Sequence, residues 1–163
     1  MAEVYTDEVA IRGTPVQVWA FLDDPDALGR VLPGCDRIER TRPGVYALVL
    51  ALRHPLMTVR ADAIATLEDP EPPTRVRLTI EGAPPGFSGK FRLFIPFELE
   101  GTESPNSGPV TRIRYGVAAE LTGSIALFGV GPIQDGVRRQ IAELAANVER
   151  EIAAGRTPGE STA

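Results

Sequence analysis

The chain has 163 residues, 43% of them apolar and 24% charged, the profile of one globular domain long enough to bury its own core. Its net charge of −5 repels phosphate, which argues against nucleic-acid binding and against acidic membrane surfaces. One cysteine, Cys35, and one histidine, His54, exclude an internal disulfide and leave too few soft ligands for a zinc site.

Residues 2–12 read as a first strand, with Val4, Val9 and Ile11 among polar residues, and Gly13 ends it. Thr14-Pro15-Val16-Gln17 carries a helix start: a Thr cap, Pro in the first turn and Gln closing a capping box. Asp23-Asp24-Pro25 stops that helix and starts a second, which Leu32-Pro33-Gly34-Cys35 ends. From Ile38 the period changes to two. Strands are predicted over 36–41, 44–53, 57–68, 74–82, 86–100 and 109–120, separated by short Pro- and Gly-rich joints. In the clearest of them Phe87, Gly89, Phe91, Leu93, Ile95, Phe97 and Leu99 share one face, and Ser88, Lys90, Arg92 and Glu98 the other.

Residues 132–154 predict a long helix. Ile133, Val137, Ile141, Leu144, Val148 and Ile152 recur every three or four positions as one apolar stripe, and Gly155 suits its end. The order is strand, two short helices, six strands and a long helix. It predicts an α+β helix-grip fold, a curved antiparallel seven-stranded sheet with the C-terminal helix laid across it. One domain over 1–155 is expected, with 156–163 a frayed polar tail. No apolar run is long enough to span a bilayer, and the acidic start lacks the basic region of a secretory signal.

Val18-Trp19-Ala20-Phe21-Leu22-Asp23-Asp24-Pro25, followed by Leu32-Pro33-Gly34-Cys35, resembles the signature of the carbon monoxide dehydrogenase CoxG family. That family belongs to the START/Bet v 1-like superfamily of helix-grip proteins. Gly89, Thr111-Arg112-Ile113-Arg114-Tyr115 and Gly123-Ser124-Ile125-Ala126 extend the likeness over most of the chain. The resemblance implies a small accessory protein of a molybdenum-dependent dehydrogenase, binding an apolar small molecule such as a quinone or a lipid. Composition, the acidic start and the lack of a span make a cytoplasmic domain the expectation, with no cofactor, peripheral to the membrane only through a partner. Family members that anchor themselves end in an apolar segment, whereas Ser161-Thr162-Ala163 does not read as one, so stable membrane insertion is not expected.

The candidate site is a cavity between the long helix and the sheet. Phe87, Phe91, Leu93 and Phe97 on the strand and Leu144 on the helix either fill the core or line a pocket of roughly a few hundred Å³. Gln140 falls inside the apolar stripe, about 20° from Ile133, so its amide must meet a backbone group, water or a ligand. Tyr115 faces inward with Ile113 and Val117 and could offer a hydroxyl to the same space. Phe128, in a Gly-rich stretch ahead of the long helix, belongs either to a docking loop or to a plug of the cavity.

No catalytic or metal-binding residue is assigned. Cys35 has no base near it in sequence and reads as packing. His54 sits in a strand joint without a nucleophile partner, and the helix acids form no pair. Two other readings stay open: a polyketide cyclase/dehydratase-like enzyme of the same superfamily, and an interaction domain with a filled core. The enzyme calls for convergent ionisable groups facing the cavity, and the filled core for no cavity at all.

Overall fold

The computed structural model describes residues 5–55, 57–106 and 108–159, side chains at 5, 52–54 and 57–59 excepted. Strand β1 (Tyr5–Arg12) leads into α1 (Pro15–Leu22) and α2 (Pro25–Val31). Then come β2 (Cys35–Arg42), β3 (Val45–His54), β4 (Met57–Glu71), β5 (Arg75–Ala83), β6 (Phe91–Ser104) and β7 (Gly108–Leu121). A 3-10 helix (Gly123–Phe128) precedes α3 (Gly131–Ala153). The strands form one antiparallel sheet in the order β1-β7-β6-β5-β4-β3-β2. Each of β2 to β7 pairs with its chain neighbour, and β1 docks on the last. This is the helix-grip arrangement, with α3 across the inner face.

The local chemistry explains the joints. Thr14 Oγ1 accepts from Gln17 N at 3.2 Å while Gln17 Oε1 accepts from Thr14 N at 2.9 Å, the reciprocal capping box that starts α1. Asp24 Oδ1 accepts from Ala27 N at 3.1 Å and starts α2 after a break of two residues. Gly155, at φ +75°, donates to Ile152 O and closes α3 in the left-handed conformation that glycine favours.

Three expectations need correction. The strand foreseen over 86–100 begins only at Phe91, because Gly86 (φ +85°) and Gly89 (φ +84°) hold left-handed backbone that a strand cannot contain. The Gly-rich stretch ahead of α3 is a 3-10 helix over Gly123–Phe128 instead of an irregular loop. The chain also stays packed past 155: Arg156 bonds the Glu151 carboxylate, and Thr157 is buried. Residues 2–4 of the first strand and 160–163 of the tail lie outside the described residues.

Two apolar clusters sit under α3. Its N-terminal half (Ile133, Val137, Ile141) packs with Leu93, Ile95 and Val117 of the sheet. Its C-terminal half (Ala145, Val148) packs with Trp19 and Phe21 of α1, Val31 of α2, and Ile11, Leu99 and Ile113. The short helices are therefore wedged against one end of α3, and a separate space is left under its middle.

Candidate functional site

That space is a hollow of about 140 Å³. It is smaller than the few hundred Å³ foreseen, because the sheet's inner rows close on α3 from both sides. Strand pleat aims alternate side chains of β6 inward, so Phe91, Leu93, Ile95 and Phe97 make one wall. The α3 stripe makes the facing wall through Ile133, Val137, Ile141 and Leu144. Leu28 and Leu32 of α2 and its exit, with Ile38, Leu48 and Leu50 of β2 and β3, form the side toward the short helices. Among the described lining side chains only those of Tyr46 and Gln140 carry polar atoms.

Both polar groups already have partners. The Tyr46 hydroxyl donates to Leu22 O at 2.7 Å and accepts from Arg40 Nη2 at 3.1 Å. The Arg40 guanidinium lies 5.5 Å from the Tyr46 ring centroid and also donates to Asp23 O. That hydrogen bond to Tyr46 shifts the guanidinium's pKa further up, so Arg40 keeps its charge. Gln140 Nε2 donates to Pro33 O at 2.6 Å. Of the three destinations open to its amide, the structure shows a backbone carbonyl.

Of the residues singled out in the sequence, the hollow gathers Phe91, Leu93, Phe97, Gln140 and Leu144. Three stand elsewhere. Phe87 leaves the inward row with the turn before β6 and meets Phe128 edge-on, the ring centroids 5.5 Å apart. Phe128, 46% exposed at the end of the 3-10 helix, does not reach the lining and so plugs nothing. Tyr115 is buried, but its ring tilts on Phe97 and its hydroxyl lies 3.5 Å from Asp7 Oδ2, away from the hollow.

Tyr46 and the α2 leucines were missed. Their signal was present: Tyr46, Leu48 and Leu50 alternate through one strand, as the β6 row does. Cys35 lies in a shallow polar groove on the outside, with Asp26, Arg30, Asp36 and Arg37. Burial pushes its thiol above the ordinary range, the opposite of what a nucleophile needs. The side chain of His54 lies outside the described part.

The profile of the carbon monoxide dehydrogenase CoxG family matches residues 8–153. No curated protein matches the chain. A conserved protein from Geobacillus kaustophilus shares its fold at TM-score 0.78 and 23% identity, over 94% of this chain and 97% of that one. Ara h 8.0201 does so at 0.64 and 13%, over 94% and 99%. The di-domain ARO/CYC BexL gives 0.54 and 17%, over 91% of this chain and 49% of its own. At these identities the likeness is one of fold.

Proposed function

Because the chain belongs to the carbon monoxide dehydrogenase CoxG family, we propose that it is a non-enzymatic accessory protein that carries an apolar small molecule, a quinone or a lipid, in the hollow under α3. Its partner in this reading is a molybdenum-dependent dehydrogenase of the carbon monoxide dehydrogenase type. The observation that carries the reading is the chemistry of the walls. Leu, Ile, Val, Ala and Phe surround the space, and among the described residues the lining side chains include no carboxylate, imidazole, amine, guanidinium or thiol. Among them the one group able to move a proton is the Tyr46 hydroxyl, which is already held by Leu22 O and Arg40. Such a surface does repay an apolar guest, at about 25 cal/mol per Å² of apolar surface taken from water.

A hollow of about 140 Å³ takes a ring and leaves a long tail to run between α2, β2 and β3, where Leu28, Leu32, Ile38 and Leu50 are half-buried. Gln140, at that side, stands where a carbonyl of the guest could meet its amide. The test is mass spectrometry of organic extracts of the purified protein, with titration of decylubiquinone followed by the fluorescence of Trp19. A co-purifying apolar molecule and saturable quenching are the expected result. A clean extract together with no quenching at saturating decylubiquinone overturns the reading.

A further inference from the structure

The walls of the hollow differ in what holds them. Strands β3 to β6 are laced by backbone ladders on both sides, and α3 is one continuous helix of 23 residues. The remaining wall, α2 with its exit, is only seven residues of helix and buries just Ala27 and Val31 fully. Its two ends are fixed. On the α1 side Leu22 O and Asp23 O are held by Tyr46 and Arg40. On the β2 side Ala51 N donates to Gly34 O at 2.9 Å. Between them, α3 holds the segment by two side-chain amides two turns apart. Gln140 Nε2 reaches Pro33 O at 2.6 Å, and Asn147 Nδ2 reaches Val31 O at 2.8 Å while its Oδ1 accepts from Arg150.

We propose that residues 24–33 form a lid over the hollow, pinned shut by Gln140 and Asn147, through which the apolar guest enters and leaves. The lid rests on the reading of the hollow as a carrier site. Its hinges are the Asp23–Asp24 break, where the backbone passes from helical to extended, and Gly34, at φ +73°. A Cβ on Gly34 would stand 2.4 Å from Ala51 O, so this hinge needs glycine for its space as well as its angle. Opening costs two side-chain hydrogen bonds, the exposure of the buried Ala27 and Val31, and the further exposure of the half-buried Leu28 and Leu32. Opening any other wall breaks a strand ladder or uncovers the buried face of α3, with Ile133, Val137, Ile141, Ala145 and Val148. Leu28 and Leu32 leave the hollow with the lid, so the way in is lined by apolar side chains from the first step.

Asn147 gives the cleaner test, because it pins the lid without lining the hollow. Asn147→Leu and Gln140→Met each remove one pin at similar side-chain volume. Stopped-flow with decylubiquinone is expected to show association and release both faster by about five-fold in Asn147→Leu, with Kd within two-fold of the parent. Native hydrogen exchange of amides 27–32 is expected to accelerate by a similar factor in either variant, while β6 amides keep their rates. Unchanged exchange at 27–32 in Asn147→Leu overturns the lid. So does a loss of affinity carried by release alone, which marks a contact with the guest or a merely structural bond. If the parent protein binds no decylubiquinone at all, the carrier reading fails separately, and the exchange measurement still decides whether residues 24–33 open as a unit.

Discussion

Gly89 and Gly123 meet where the turn before β6 touches the 3-10 helix, and the contact leaves no room for a side chain. A Cβ on Gly89 would lie 2.1 Å from Thr122 O, and one on Gly123 would lie 2.2 Å from Ser88 O. Around them Ser88 N donates to Ser124 Oγ at 2.8 Å and Ser124 N to Ser88 Oγ at 2.9 Å, a reciprocal pair that only close backbones allow. Gly123→Ala is therefore expected to cost roughly 2–5 kcal/mol in urea unfolding, the sum of left-handed strain and backbone overlap. Gly86→Ala carries the same strain at φ +85° in open space and should lose only about 1–2 kcal/mol. Equal losses would show that strain, and not the close approach, governs this joint. Cys35 sets a second residue-scale expectation. Burial raises its thiol pKa in the folded protein, so the folded state holds the proton longer than the unfolded one. The stabilisation is then fully present below the ordinary thiol pKa and is lost as pH rises through the raised folded value. Urea midpoints measured from neutral pH to about pH 10 should fall at the alkaline end in the parent and fall less in Cys35→Ala. Parallel curves would remove the thiol from the account.

At the scale of elements, the parts with a strong period were legible. The β6 row from Phe91, the α3 stripe and both helix caps follow from spacing alone, since each depends on residues within one element. What the period could not supply was which inward residues share one space. Tyr46 and Tyr115 look alike in sequence, each alternating with aliphatic residues along a strand. Tyr46 stands on β3, beside the short helices and the hollow, whereas Tyr115 stands on β7 next to β1, its ring against Phe97 and its hydroxyl turned to Asp7 of β1. Strand order and sheet curvature decide that, and neither is local. Phe87 was misplaced for a different reason: Pro84-Pro85-Gly86 and Gly89 bracket it, and these breakers outweigh the continued alternation. The inner row of β4 offers the corresponding test, because Ala61 and Ala65 are its small members facing the hollow. Ala65→Leu puts three carbons into the space, worth up to about 2 kcal/mol at roughly 0.8 kcal/mol per buried CH₂. Stability in urea is expected to hold or rise, while decylubiquinone binding weakens at least about ten-fold. A loss of more than about 1 kcal/mol, the sign of overpacking, would mean that the space near Ala65 is already full.

For the whole molecule, the balance that matters is between charge and exposed apolar surface. The outer face of the sheet pairs its arginines across strands, as in Arg112–Glu8, Arg114–Glu100 and Arg92–Glu81. These exposed pairs add little stability, but they leave few basic groups to spare on a chain of net charge −5. Among the described residues no helix is long and apolar enough to cross a membrane. The attraction a lipid surface could exert comes from Leu127, 88% exposed, and Phe128, 46% exposed, side by side on the 3-10 helix. Burying both yields at most roughly 1.5–3 kcal/mol each, comparable to a single acyl chain, which alone gives only marginal and reversible binding. Near an anionic leaflet each charge weighs about 1 kcal/mol, and here the excess has the repelling sign. Repulsion therefore offsets the apolar gain. In co-sedimentation with phosphatidylglycerol vesicles at about 0.15 M salt the protein is expected to stay in the supernatant. On neutral phosphatidylcholine a weak, reversible fraction is expected, and Leu127→Ser with Phe128→Ser should remove it. Salt-resistant pelleting with the anionic vesicles would overturn this balance, and would require a membrane-binding element beyond these two side chains.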